Sequence, residues 1–322
     1  MLLIVIVPVF NEEDGLVELH ERLGAVLDRI DMRGEILFVN DGSSDRSLSV
    51  IQELSEKDQR VSYVALSRNF GKEAALSAGL DHADGDAVVI IDADLQDPPE
   101  LIPEMVRLWR EGYDNVYGQR MERLGEGFFK KFTAKYFYRL MARVGRFSIP
   151  KDAGDFRLLS RRAVLALRSL PESNRFMKGL FAWIGYRQIA LPYSRDPRYA
   201  GKTKFDYWKL WNFALDGITS FTTLPLKIAS YVGVLLSLGS FCYGAVIIAK
   251  TLLFGDPVRG YPSLMAVVLF LGGIQLLFMG AIGEYLGRMF DETKRRPLYL
   301  VDVYKSCFSE KGMAAEFPSK GR

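Results

Sequence analysis

Two stretches of the chain carry no charged residue at all, 228–249 with 22 residues and 260–283 with 24. Each is bracketed by charge, Lys227 and Lys250 around the first, Arg259 and Glu284 around the second. A helix rises about 1.5 Å per residue, so either run can span the roughly 30 Å of bilayer hydrocarbon. Buried core helices are the alternative, but two of this length in succession in a chain of 322 residues read better as a membrane hairpin. The connection 250–259 is short, which puts both flanks on one side. Those flanks hold Lys202, Lys204, Lys209 and Lys227 before the pair and Arg288, Lys294, Arg295 and Arg296 after it, whereas the connection has only Lys250 and Arg259. By the positive-inside rule the flanks, and with them the bulk of the chain, lie in the cytoplasm.

Charge is divided sharply along the sequence. Residues 1–118 carry 10 Lys or Arg against 24 Asp or Glu, and residues 119–227 carry 22 against 8. The middle segment is therefore built to meet anions, and beside two apolar spans phospholipid headgroups and lipid phosphate are a better match than nucleic acid. Within it, 126–143 interleaves Phe128, Phe129, Phe132, Phe137, Leu140 and Met141 with Lys130, Lys131, Lys135, Arg139 and Arg143, the pattern of a basic amphipathic helix at a membrane surface. The stretch 205–227 adds Tyr207, Trp208, Trp211, Phe213 and Phe221, aromatics suited to the headgroup layer. Cys242 and Cys307 stand far apart and suggest neither a disulfide framework nor a thiolate metal site. The apolar N-terminus lacks a basic leader and a small-residue cleavage site, so it reads as a buried strand.

From 1 to 118, short β-branched runs alternate with amphipathic stretches: 2–9, 35–40, 61–66, 87–92 and 115–118. That rhythm is the one βα units require. Unbroken apolar character in 2–9 and 87–91 implies strands covered on both faces, hence an α/β, Rossmann-like domain with a largely parallel sheet. Asp97-Pro98-Pro99-Glu100 predicts a capped helix start, with Asp97 as N-cap and Glu100 at N3. The expected division is a catalytic domain over 1–204, interfacial helices over 205–227, spans over 228–249 and 260–283, and a cytoplasmic tail over 284–322.

The strongest chemical signal is D-A-D-L-Q-D-P-P-E, residues 92–100, at the end of a buried strand. In extended chain, residues two apart share a face, so Asp92, Asp94 and Gln96 converge and offer hard oxygen donors for Mg²⁺ or Mn²⁺. Two other strand ends line the same edge, Pro8-Val9-Phe10-Asn11-Glu12 and Asn40-Asp41-Gly42-Ser43-Ser44-Asp45. An acidic group there can hydrogen-bond ribose or base, although the second is equally good turn chemistry. Arg68-Asn69-Phe70-Gly71-Lys72 brings a guanidinium and an ammonium where nucleotide phosphate could sit. No dinucleotide fingerprint or P-loop is present. His20 and His82, the two histidines, are expected on helix surfaces, which argues against histidine chemistry.

The series P-V-F-N-E, N-D-G-S-S-D, R-N-F-G-K and D-A-D-L-Q-D-P-P-E resembles the family 2 inverting glycosyltransferases of GT-A fold. Within them it is similar to the dolichol-phosphate mannosyltransferase group, most nearly to bacterial bactoprenol (undecaprenyl phosphate) glucosyltransferases, which share two C-terminal spans. The resemblance covers roughly residues 3–300. It implies that Pro8, Asn11, Glu12 and Asp41, with Arg68 and Lys72, hold the nucleotide of a UDP-sugar. It implies too that Asp92 meets the sugar diphosphate and metal, and that Asp94 and Gln96 ligate the metal. Asp155, in D-A-G-D-F-R, matches an acidic residue near the acceptor, and Asp92, Asp94 and Asp155 form the implied catalytic set. Arg120 and the stretch 198–204, with Arg198, Lys202 and Lys204, match regions that contact lipid phosphate. The chain departs from the pattern at Gln119 and Thr203 and lacks the family's second phosphate-binding arginine, for which Lys130 or Lys131 is the substitute.

The implied reaction is transfer of a hexose, glucose by resemblance, from a UDP-sugar to polyprenyl phosphate with inversion. The implied product serves cell-envelope glycan or O-antigen modification, in a bacterial plasma-membrane homo-oligomer, a tetramer by resemblance. N-acetylhexosamine, mannose and aminoarabinose are alternative sugars. A processive polysaccharide synthase would carry a Q-x-x-R-W element that is absent here, a nucleotidyl transferase would not need the hairpin, and a non-catalytic nucleotide-sugar scaffold would not need Asp92, Asp94 and Gln96 together.

Overall fold

The computed structural model describes residues 1–121, 153–172, 175–194 and 260–307, with scattered helical positions between 231 and 253. The chain divides into two compact units, Met1–Leu210 with Arg296–Arg322, and Trp211–Arg295.

In the first unit the β-branched runs form β1 (Leu2–Val9), β2 (Arg33–Asn40), β3 (Val61–Leu66), β4 (Ala87–Ile90) and β5 (Asn115–Arg120). Three more strands, β6 (Ala153–Ser160), β7 (Gln188–Tyr193) and β8 (Val301–Lys305), complete an eight-stranded sheet of order β7-β5-β6-β4-β1-β2-β3-β8. The centre, β4-β1-β2-β3, is parallel; every residue of β4 is buried, as its unbroken apolar run requires, and so is every residue of β3. The flanks are antiparallel at β4/β6, β5/β6 and β3/β8, so the sheet as a whole is mixed.

Helices α1 (Leu16–Leu27), α2 (Ser47–Lys57) and α4 (Ile102–Arg110) pack on the face carrying Leu3, Val5 and Val7. Helix α3 (Lys72–His82) covers the opposite face so closely that a Cβ on Gly79 would lie 2.5 Å from Ile6 Cγ2. Two shorter helices, α5 (Arg161–Ser169) and α6 (Met177–Trp183), follow β6. Because β2 and β3 build out on one side of β1 and β4 lies on the other, a crevice opens at the C-terminal ends of β1 and β4, the place where open α/β sheets take ligands.

The predicted cap at Asp97 is not formed. A 3₁₀ turn at Pro99–Leu101 precedes α4, and no side chain caps either start. Asp97 is buried and instead accepts a hydrogen bond from the Tyr193 hydroxyl of β7, while Glu100 pairs with Arg22 of α1 at 2.7 Å. A buried carboxylate must find a donor, and here the donor comes from across the sheet. The two histidines are half-buried rather than on open helix faces: His20 lies 3.0 Å from Asp58, and the His82 ring lies 4.7 Å from that of Tyr304.

Strand β8 runs antiparallel to β3 from Tyr63↔Lys305 to Leu66↔Val301 and covers what would be an open edge. Side chains reinforce it: the Tyr299 hydroxyl donates to Asp81 at 2.9 Å, and Lys305 donates to the Ser55 hydroxyl at 3.1 Å. In the second unit, α7 (Tyr261–Thr293) contains a 24-residue stretch, Phe270–Thr293, long and apolar enough to cross a membrane, with none of that window buried. The helix continues past the charge-free run through Glu284, Arg288 and Asp291. Positions described between 231 and 253 are also helical. The predicted interfacial segments 126–143 and 205–227 lie outside the described residues.

Candidate active site

At the end of β4 the chain alternates with period two. Asp92, Asp94 and Gln96 are half-exposed, whereas Ala93, Leu95 and Asp97 are buried. All three are reachable from solvent, but β4 ends at Ile90 and the segment is a turn rather than the expected extended chain, with Leu95 between Asp94 and Gln96 at a left-handed φ of 58°. Asp94 Oδ1 accepts the Gln96 amide at 3.2 Å. Among the described residues no group of three or more His, Cys, Asp or Glu gathers into a closed cage. Two carboxylates and an amide oxygen on an open face fit a cation whose other positions are supplied by a ligand.

The loops after β1, β2 and β3 are tied to one another. Asn11, with φ at 56°, accepts the Ser44 amide at 2.8 Å, its own amide donates to the Ser43 hydroxyl, and the Glu12 amide donates to the Ser47 hydroxyl at 3.0 Å. Asp41, buried at the end of β2, accepts the amides of Phe70 and Gly71 at 2.8 and 2.9 Å. Burial pushes its carboxyl up, against the pull of those two amides and of Arg68. The two loops touch only because residue 42 is glycine, with φ at 63°: a Cβ there would lie 2.3 Å from the carbonyl carbon of Arg68. Arg68 stacks 4.0 Å over the Phe70 ring. Pro8, opposite Val39 in the β1/β2 ladder, stands at the head of this cluster.

Asp155 reaches the same crevice through the antiparallel β6. Ile90 pairs with Arg157, so one step further along the same face Asp92 meets Asp155. Between them stands Lys72, the first residue of α3, whose ammonium lies 2.6 Å from Asp92 Oδ1 and 2.6 Å from Asp155 Oδ2. Desolvation beside the crevice works against the Lys72 charge, although its side chain is 43% exposed, and the two carboxylates hold it above the ordinary range. Burial also works to raise Asp155, yet Lys72, then Lys178 and Arg157, hold it well below.

Sequence reasoning passed over three of these groups. Glu73, beside Lys72, accepts the Met177 amide at 3.1 Å, and burial reinforced by Asp155 pushes its pKa up to about 7. Arg157 is buried, donates to the Gly154 carbonyl at 2.7 Å and lies 3.7 Å from the Phe181 ring centroid, with burial lowering its pKa to about 10. Lys178 belongs to the same α6. Arg157 was within reach of sequence, since it follows Asp155 by two residues on one strand. Glu73 and Lys178 come together only through the packing of α3 on α6.

Arg120 ends β5, paired with Tyr193 of β7. Lys130, Lys131, Arg198, Lys202 and Lys204 lie outside the described residues.

Residues 4–167 match the family model described as Glycosyl transferase family 2, and residues 224–289 match the GtrB C-terminal hairpin. The bactoprenol glucosyl transferase of Shigella phage SfV is 47% identical over 296 residues, covering 92% of this chain and 96% of that protein. A glycosyltransferase of Synechocystis sp. is 54% identical over 297 residues, 92% of this chain and 93% of its own. The prophage bactoprenol glucosyl transferase homolog of Escherichia coli is 46% identical over 300 residues, 93% and 98% of the two chains. Among solved structures, mannosyl-3-phosphoglycerate synthase from Rubrobacter xylanophilus overlaps with TM-score 0.48 at 19% identity, over 66% of this chain and 70% of that one, too distant to bear on substrate. The family match spans the strand ends that carry Asn11, Asp41, Lys72, Asp92 and Asp155, and on it the chain belongs to glycosyl transferase family 2, with a GT-A catalytic unit and a GtrB-type hairpin.

Proposed function

We propose that the chain transfers glucose, with inversion, from UDP-glucose to polyprenyl phosphate at the cytoplasmic face of a bacterial plasma membrane. The observation that carries this reading is the pairing of Asp92 at a nucleotide-type crevice with Asp155 on the neighbouring strand, one lysine bridging them. Relatives named for glucosyl transfer to bactoprenol supply the substrate class.

In this reading Pro8, Asn11, Glu12 and Asp41 hold uridine, and Arg68 and Lys72 face its phosphates. Asp92, Asp94 and Gln96 are the donors that Mg²⁺ or Mn²⁺ would use, and when bound the cation supplies charge neutralisation for the departing UDP. A phosphomonoester with a second pKa near ~6 is mostly dianionic at neutral pH, so the acceptor oxygen needs no strong base. Asp155 then orients the acceptor, and Lys72, Lys178 and Arg157 offset the anionic charge collected there. Arg120, Lys130, Lys131, Arg198, Lys202 and Lys204 are proposed to meet the lipid phosphate and headgroups.

Topology supports the hairpin. Strand β8 follows α7 in sequence yet pairs with β3, which precedes both apolar runs. Chain that shares one sheet lies on one side of any membrane, so crossings between β3 and β8 come in an even number, as a hairpin of 228–249 and 260–283 provides. The homo-oligomer is part of the proposal and is read from the particle mass in detergent.

Full-length protein in vesicles, offered UDP- and GDP-sugars singly with undecaprenyl phosphate, is expected to label the lipid from UDP-glucose. Excess chelator and Asp94→Ala should each cut turnover at least about a hundredfold, the scale on which loss of an electrostatic catalytic group acts. Undiminished transfer in chelator would refute the metal role, and transfer from a GDP-sugar alone would refute the donor.

A further inference from the structure

We propose that Lys72 is a tethered counter-cation that holds the metal's carboxylate until donor arrives, so that divalent cation and UDP-sugar bind as a coupled pair. This rests on the donor and metal assignment above and adds an order to it. The ammonium sits 2.6 Å from Asp92 Oδ1 and equally close to Asp155 Oδ2. A divalent ion approaching Asp92 alone therefore meets a carboxylate already neutralised and a positive charge in its immediate neighbourhood. An opposite charge this close changes a carboxylate's affinity for a competing cation by roughly tenfold to a thousandfold, the size of effect it has on proton binding.

The donor reaches the same lysine by two routes. Its diphosphate brings negative charge that favours a second cation beside Lys72. Its uridine is assigned to Asp41, and Asp41 grips the amides of Phe70 and Gly71, the two residues that lead directly into Lys72. Gly71 itself has φ at 97°, a conformation that few other residues would hold, so the lysine's starting point is set by that loop. Asp155 keeps its half of the bridge when Asp92 is taken, which leaves the ammonium on the acceptor side of the crevice.

Mn²⁺ binding to full-length protein in detergent, followed by loss of the free-ion electron paramagnetic resonance signal and corrected for Mn²⁺–UDP complex in solution, tests this. The wild-type chain should bind Mn²⁺ at least about tenfold more tightly with UDP than without. Lys72→Met should bind Mn²⁺ without UDP at least about tenfold more tightly than wild type, Lys72→Arg should resemble wild type, and Asp92→Asn placed on Lys72→Met should abolish the gain. A folded Lys72→Met protein with no gain, or wild-type affinity equal with and without UDP, overturns the proposal. If Lys72→Met does not fold, Lys72→Gln takes its place in the same titration and the same two outcomes decide. These titrations need no turnover: a chain that shows the coupling yet transfers no glucose from UDP-glucose refutes the donor reading and leaves the role of Lys72 standing.

Discussion

Glu73 carries a pH signature that falls near neutrality. Its folded-state pKa of about 7 stands above the ordinary 4.5, chiefly through burial and then through Asp155. The folded protein thus binds more protons than the unfolded chain between those values, and stability falls as pH rises through that window. Glu73→Gln keeps an acceptor for the Met177 amide and removes the charge. It should raise the melting temperature at pH 8, by on the order of 2 kcal/mol of stability, and the gain should vanish near pH 4.5. An equal gain at both pH values would contradict the burial of this carboxyl. Gly42 makes a second residue-scale case, since its missing Cβ is what lets the loop of Asp41 touch the loop of Arg68. Gly42→Ala must displace one of them, and UDP affinity by calorimetry should drop at least about tenfold, a strain of one to a few kcal/mol; unchanged affinity would show that the two loops need not touch. The exposure of Asp92, Asp94 and Gln96 beside buried Ala93 and Leu95 follows the alternation of polar and apolar residues, a local pattern that sequence displays. The bridge through Lys72 was not legible there, because it depends on the register of β6 against β4, which brings residues 92 and 155 face to face.

Among elements, β1 and β4 were legible because strands buried on both faces are written as unbroken apolar runs, and β2 and β3 as short β-branched runs between amphipathic stretches. Strand β6, Ala-Gly-Asp-Phe-Arg-Leu-Leu-Ser, mixes site chemistry into its first half and loses that signal. The predicted cap at Asp97 failed for a related reason: local pattern put a helix start directly after it, but Tyr193, about a hundred residues on, took the side chain, and a 3₁₀ turn precedes the helix at Ile102. Strand β8 sits beyond a membrane-type helix, where sequence gives no hint that the chain returns to the sheet. Its contribution is measurable. Removal of residues 296–322 uncovers the β3 edge, a template for intermolecular pairing, and should convert a monodisperse detergent complex into aggregate on size-exclusion chromatography. Tyr299→Phe, which loses only the hydrogen bond to Asp81, should cost about 1 kcal/mol and leave the complex monodisperse. A truncated protein as well dispersed as the full chain would deny β8 its role as an edge cover.

For the whole molecule, one sheet built from chain on both sides of the apolar runs fixes the parity of membrane crossings. In a background with Cys242 and Cys307 replaced by serine, single cysteines at Lys227 and Arg288 should resist impermeant reagents applied to intact cells, while one in the connection 250–259 should react. Efficient labelling at either flank would reverse the orientation and remove the catalytic unit from the side where nucleotide sugars are supplied. The central claim is inverting transfer onto a lipid phosphate, and its most direct measurement is the anomeric configuration of the product. Full-length enzyme given UDP-α-glucose and undecaprenyl phosphate should yield a lipid-linked glucose whose anomeric proton coupling in nuclear magnetic resonance is that of the β-phosphodiester; an α-linked product, or glucose released without lipid attachment, would contradict the account.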